Sequence, residues 1–290
     1  MLYKISNNVL EVEINSLGAE LQSIKFNGTE YLWQGDKTYW GGRAYNLFPI
    51  CGRLTDNRYE YDGKSYEMIL HGFLRKSELT ATRISDNEID FCLKANNETL
   101  AAYPFDFEYR INYALIGRKI NMTINVSNRG ENEMYFAIGG HPGFNVPFSD
   151  DKFEDYYLEL SDNSRPKGIL LSDNCFITTE SYDIPVIDGK ILPLRHEMFD
   201  KDALIIEGLK SPIRLKSKNH GHYVKIEFPE DMKYVGLWHT PKTKAPFVCI
   251  EPWTGVPSYD NKLDDIETKR DMFKLPKNSK LNLTWSISIK

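Results

Sequence analysis

The chain has 290 residues, 41% of them hydrophobic, with a formal charge of −5 and a pI near 5.8. That is enough apolar content for a large core, and an acidic chain with scattered Lys and Arg excludes a nucleic-acid footprint. Met1-Leu2-Tyr3-Lys4-Ile5-Ser6 lacks the apolar centre of a signal peptide and no run is long enough to span a bilayer, so a cytoplasmic protein without membrane contact is expected.

Strand signals dominate from the start. Val9–Ile14 alternates in polarity, and Leu21–Phe26 follows it through a glycine turn. Asn27-Gly28 reads as a hairpin turn, because type I′ turns need positive φ at both central residues. Asp62-Gly63 joins Arg58–Tyr61 to Lys64–Met68 in a second hairpin, and Asp188-Gly189 marks one more turn. Further strands are predicted at Glu88–Lys94, Phe107–Leu115, Lys119–Asn128, Met134–Ile138, Ala203–Ile206, Tyr223–Phe228, Tyr234–Trp238, Phe247–Ile250 and Leu281–Ile289. Short helices are predicted only within Ser149–Tyr157 and Lys262–Phe273. No repeat, low-complexity tract or linker divides the chain. Strands without alternating helices imply an all-β antiparallel sandwich or barrel, a single domain over residues 1–290.

The four cysteines (Cys51, Cys92, Cys175, Cys249) are widely spaced, with no CxxC pair, and read as reduced thiols. Aromatic content of 13% suits β-structure. It also suits a sugar-binding protein, where ring faces pack on C–H surfaces.

Four polar clusters carry chemistry. In Asn46-Leu47-Phe48-Pro49-Ile50-Cys51-Gly52-Arg53, an apolar run turns through glycine into an arginine, whose planar fork suits hydroxyls, carboxylates or phosphates. The bland alternative is a surface ion pair. In Leu70-His71-Gly72-Phe73, a histidine follows a hairpin beside a glycine that permits close approach. In Gly139-Gly140-His141-Pro142-Gly143-Phe144-Asn145, Pro142 keeps His141 out of helical backbone. The expectation is a histidine on a rigid loop at a strand end, suited to proton transfer near neutral pH. In Phe247-Val248-Cys249-Ile250-Glu251-Pro252-Trp253, four apolar residues lead into a carboxylate at the expected strand end. Lost hydration there raises its pKa and favours a general base. Trp253 is placed to wall a pocket.

In this order and rough spacing the clusters resemble the aldose 1-epimerase (galactose mutarotase) family over nearly the whole chain, with wording closest to its LacX-like branch. Leu17-Gly18-Ala19-Glu20-Leu21 is similar to the family's first strand pair. The resemblance implies a large antiparallel β-sandwich with a sugar cleft, no cofactor and no metal. It implies His141 as the general acid to the ring oxygen and Glu251 as the general base to the anomeric hydroxyl. It also implies Arg53 and His71 as ligands of sugar hydroxyls, with Asn46, Phe144 and Trp253 further candidates from the same motifs. An aspartate ligand falls on Asp202 or Asp200, Asp202 preferred because it directly precedes an apolar strand. The chain departs from the family at Phe73, where glycine is common, and at Gly143, where an aromatic often follows His-Pro. A galactose preference therefore does not carry over.

The residue types fit the reaction independently. A cyclic hemiacetal opens when its O1–H loses a proton and its ring oxygen gains one, which needs one base and one acid. The implied partner is a hexose, acted on by a monomer or weak homodimer. Two alternatives remain open: a hexose-6-phosphate 1-epimerase, for which Arg43, Arg53, Arg75 and Lys76 are the nearest basic residues, and a non-catalytic sugar-binding or sensing protein. His239 either faces the cleft or packs in a turn. His220-Gly221-His222 followed by Glu227 has the spacing of a cupin metal motif, but the expected preceding glycine and a second motif are missing, so a hairpin tip is the favoured reading.

Overall fold

A computed structural model describes residues 1–161 and 166–290. The three Asx-Gly turns form as their sequences require: Asn27, Asp62 and Asp188 and the glycines after them all have positive φ. Alternation then sets the layers. In Phe107–Ile116 and Lys119–Asn128 every second residue is buried, so each strand has one dry face. These two pair with each other inside a nine-stranded antiparallel sheet. A four-stranded sheet of the first 30 residues adds Leu10, Val12 and Ile14 to the core.

The second large sheet has seven antiparallel strands, in the order Ile177–Asp183, Lys167–Leu171, Leu204–Glu207, Tyr234–Trp238, Phe247–Trp253, Gly139–Asn145 and Ala44–Leu47. Period two divides its side chains. Leu204, Ile206, Val235, Leu237, Val248, Ile250 and Phe144 belong to the main core shared with the nine-stranded sheet. Leu47, Ile169, Ile205, Tyr234 and Trp253 form a separate cluster on the opposite face. The result is a β-sandwich, as the strand pattern implies. Among the described residues no helix is long and apolar enough to cross a membrane.

Several local expectations are corrected. Gly139–Asn145 is not a loop but a strand, and the strand carrying Glu251 runs on through Pro252 to Trp253. Both tolerate proline because their mutual pairing is interrupted: paired positions pass from Gly139 with Trp253 to Gly143 with Cys249. The register sets Pro142 opposite Ile250 and Pro252 opposite Gly140, within that gap, where a missing N–H costs least. Lys262–Phe273 forms turns around a two-residue strand, Asp264–Asp265, because Asp264 is drawn into a buried ion pair with Lys269 at 3.1 Å. Ser149–Tyr157 yields one 3₁₀ turn, Phe153–Asp155, before the strand Tyr156–Glu159. The one α-helix among the described residues, Asn97–Ala102, is capped by reciprocal bonds between Asn96 and Thr99. Six residues are too few to show a helical period.

Gly140 faces the nine-stranded sheet, where a Cβ would come 2.4 Å from the Trp285 ring. Trp285 is 2% exposed and has no free direction to move. Gly140→Ala is therefore expected to destabilise the protein by about 1–3 kcal/mol, the usual range for overpacking. A denaturant or thermal melt would check this, and an unchanged midpoint would show that the interlayer contact is looser than described.

Candidate active site

A cleft of about 290 Å³ opens on the outer face of the seven-stranded sheet. Its floor is one cross-strand row. Tyr45 pairs with His141, Glu251 with Gly236, and Gly236 with Ile205. The register of the Gly139–Asn145 and Phe247–Trp253 strands brings His141 opposite Glu251. Directly opposed residues have Cβ atoms about 4.5–5.5 Å apart, so the ring and carboxyl meet: His141 Nε2 lies 3.3 Å from Glu251 Oε2.

Glycines make the room. Gly139 and Gly143 flank His141 on the same face. A Cβ on Gly143 would stand 3.1 Å from the Trp40 ring, and one on Gly139 would stand 2.6 Å from Trp253. Trp40 thereby stacks on the His141 imidazole, centroids 4.9 Å apart and planes 28° apart. Tyr45 and Trp238 present ring edges to the same histidine.

Burial governs the electrostatics. His141 is 7% exposed and Glu251 1%. Loss of hydration pushes the His141 imidazolium down to about 3, so the ring is neutral. The same desolvation, aided by the charge of Asp202, holds the Glu251 carboxyl well above the usual carboxylate range. The pair holds one transferable proton, and burial favours its place on Glu251. Beyond that 3.3 Å contact Glu251 Oε2 has no hydrogen-bond partner, and His141 Nδ1 has none. Such buried orphan atoms are costly unless a ligand satisfies them.

The cleft rim comes from connecting segments. The Gly52 N–H donates to His71 Nδ1 at 3.1 Å, so the neutral His71 ring carries its proton on Nε2. Burial and the neighbouring His141, Arg75 and Arg53 keep His71 neutral. The backbone at His71-Gly72 is left-handed at both residues. A Cβ at Gly72 would lie 2.1 Å from the Phe48 carbonyl oxygen, so only glycine fits. Arg53 pairs with Asp202 at 3.2 Å across the cleft mouth.

Six of the nine residues singled out in the sequence therefore line the cleft: His141, Glu251, Arg53, His71, Asp202 and Trp253. Three do not. Asn46 faces inward and donates to the Gly18 and Ala19 carbonyls and the Tyr113 hydroxyl. Phe144 is in the sandwich core. Asp200 is exposed and lines other surface grooves. His239 is fully buried behind the cleft wall, within 3.0 Å of His196 Nδ1 and 2.9 Å of the Thr240 carbonyl oxygen. Phe73 packs on Phe107 rather than beside a ligand. His220, His222 and Glu227 do not converge: His220 contacts Asp151 and Tyr156, while Glu227 pairs with Lys119 and Lys225.

Tyr45, Trp40, Trp238 and Arg75 also line the cleft. Tyr45 was legible in principle, because it adjoins Asn46 and alternation sends one of the two outward. Trp40 comes from an irregular loop whose path leaves no mark in a residue pattern.

The sequence matches the aldose 1-epimerase family over residues 1–262. It is 35% identical to the chromosomal protein LacX of Lactococcus lactis subsp. lactis, over 95% of each chain. Among solved structures, a galactose mutarotase related enzyme from Lactobacillus acidophilus superposes with a TM-score of 0.94 at 34% identity, covering 100% of this chain and 97% of that one. A galactose mutarotase-like protein from Lactobacillus casei ATCC 334 superposes with a TM-score of 0.95 at 30% identity, covering 100% of both.

The raised Glu251 pKa makes a prediction about stability. A folded-state pKa above the unfolded value gives a contribution that is complete below the unfolded pKa, near 4.5, and is lost as pH rises toward the folded value. Glu251→Gln cannot ionise and keeps the shape. The melting temperature of the variant should thus rise above that of the parent progressively from pH 4.5 to 7. A pH-independent difference would mean that Glu251 is not desolvated.

Proposed function

The chain belongs to the aldose 1-epimerase family, and from this premise we propose that it interconverts the α and β anomers of a free hexose by acid–base ring opening and reclosure. The observation that carries the reading is the His141–Glu251 pair, 3.3 Å apart with two unsatisfied buried atoms, at the floor of a cleft walled by Trp40, Tyr45, Trp238 and Trp253. The cleft volume is at the lower end for small-molecule sites. Its aromatic walls suit the C–H surfaces of a pyranose. Four free cysteines suit a reducing compartment, and cytoplasmic action is part of the proposal.

Ring opening starts from the form with the proton on His141. Glu251 takes the proton from O1 while His141 gives one to the ring oxygen, the C1–O5 bond breaks, and the aldehyde forms. The pair is left as neutral imidazole and protonated carboxyl, the same form that burial favours. After rotation about C1–C2 the transfers reverse: Glu251 protonates the aldehyde oxygen, His141 removes the proton from O5, and the ring closes on either face. Entry into the cycle moves one proton across the 3.3 Å gap. Arg53, His71 and Asp202 hold hydroxyls and fix the ring against the pair.

One observation favours an anionic substrate as a second reading. Arg75 lines the cleft with its guanidinium 5.2 Å from the centre of the Tyr45 ring. It has no carboxylate partner among the described residues, whereas Arg53 is paired with Asp202. Arg43 turns away to the Gln22 carbonyl oxygen and Gln34, and Lys76 lines a different groove. Arg75 is thus available to a phosphate or carboxylate on the sugar.

Anomer exchange followed by proton NMR on glucose, galactose and glucose 6-phosphate tests both readings. Acceleration is expected, and Glu251→Gln and His141→Ala should each lower kcat/KM by roughly 10²–10⁴-fold. No acceleration on any aldose would overturn the proposal. Arg75→Gln sorts the substrate class. A loss of about 10–100-fold confined to glucose 6-phosphate, the worth of a charge-assisted bond, would favour the anionic reading, and equal rates on all three sugars would remove it.

A further inference from the structure

We propose that the cleft floor is also a binding site for a soft divalent cation of the Zn²⁺ type, held by His141, Cys249 and Glu251, and that the cation and the sugar compete for it. Cys249 lies two residues before Glu251 on the same strand, so both side chains leave the same face of the sheet. Its partners across the two neighbouring strands are Gly143 and Trp238. Gly143 has no side chain, so nothing from that position screens the thiol from His141.

A His ring nitrogen, the Cys249 sulfur and a Glu251 oxygen lie within 4.8 Å of one another. Around tetrahedral Zn²⁺, with bonds of about 2.0–2.3 Å, neighbouring ligand atoms stand roughly 3.3–3.7 Å apart. The nitrogen–oxygen separation of 3.3 Å already has that value, and only the thiol must close in, by about 1 Å. Glu251 is 1% exposed, and its Oε2 has no hydrogen-bond partner. A cation satisfies that oxygen as well as a sugar hydroxyl does.

Charge balance points to the same species. Binding expels the Cys249 thiol proton and the Glu251 carboxyl proton to solvent. A dication then meets a thiolate, a carboxylate and a neutral imidazole, so the buried charge stays at zero. A thiolate and an imidazole select Zn²⁺, Co²⁺ or their like over Mg²⁺ and Ca²⁺. Three protein ligands leave the fourth position toward the cleft, where the sugar enters. Cation binding stands apart from the proposed reaction. Competition with sugar as inhibition rests on it.

The test is titration of the metal-free, full-length protein with Co²⁺, read by its thiolate-to-metal absorption and tetrahedral d–d bands. One equivalent should bind with both signatures, one equivalent of Zn²⁺ should erase them, and a saturating aldose should weaken binding at least tenfold. Cys249→Ala should abolish the thiolate band and weaken Zn²⁺ binding at least a hundredfold, while Cys175→Ala leaves both intact. His141→Ala, with Cys249 in place, should weaken Zn²⁺ binding at least tenfold, so the proposal stays testable if Cys249→Ala does not fold. Absence of the band in the parent protein, its survival in Cys249→Ala, or loss with Cys175→Ala would each overturn the site. If the proposed reaction is absent while the band forms, the cation site stands and the epimerase reading falls.

Discussion

One register holds the site together: the alignment of the Gly139–Asn145 strand with the Phe247–Trp253 strand that sets His141 against Glu251. Side chains on a strand alternate between faces, so a slip of one residue on either strand would send one of the two into the sandwich core. The other floor residues depend on the same frame. Tyr45 is fixed by its pairing to His141, and Gly236 by its pairing to Glu251. The row is bounded by residues chosen for what they lack. Gly139, Gly143 and Gly236 remove side chains where Trp253, Trp40 and Glu251 need space, and Pro142 and Pro252 remove donors where the ladder is open.

Placement in a dry row gives the pair its electrostatic character. Burial opposes imidazolium and carboxylate alike and favours the form in which neither member is charged. This costs nothing extra in a low dielectric, where an isolated ion is far more expensive than two neutral dipoles. Charge is confined to the rim, in the Arg53–Asp202 pair and in Arg75. The cleft is therefore divided into a neutral floor and a charged mouth.

The sandwich and its antiparallel strands were legible because the alternation in Phe107–Ile116 and Lys119–Asn128 leaves one reading only. The central pair was legible for a different reason: His141 and Glu251 interrupt apolar runs with proline beside them, and hydrophobic periodicity has no use for either. Asn46 and Phe144 share motifs with cleft residues but face away from the cleft, because proximity in sequence is not proximity in space. Each sits one residue from a cleft-lining or cleft-facing neighbour, and the pleat turns it inward. Asp200 and Asp202 differ for another reason: both lie in the turn between the His196–Phe199 3₁₀ helix and the Leu204–Glu207 strand, and only Asp202 meets Arg53. Short or exposed edge strands such as Ile177–Asp183, with one buried residue, bear no apolar stripe to detect. Trp40 and Arg75 reach the cleft from loop and turn segments, whose course depends on tertiary contacts rather than on a local period.

The two sources of cleft residues have different mechanical and evolutionary freedom. His141 and Glu251 are built into hydrogen-bonded strands of the seven-stranded sheet, and Trp40, Arg53, His71 and Asp202 hang from segments outside those strands. Loop length and composition can thus be exchanged without touching the distance between Nε2 and Oε2. A descendant of this chain that met a new ligand would need to rewrite only its perimeter. Grafting the perimeter of one relative onto the frame of another is accordingly the direct way to change the cleft's rim without disturbing its floor.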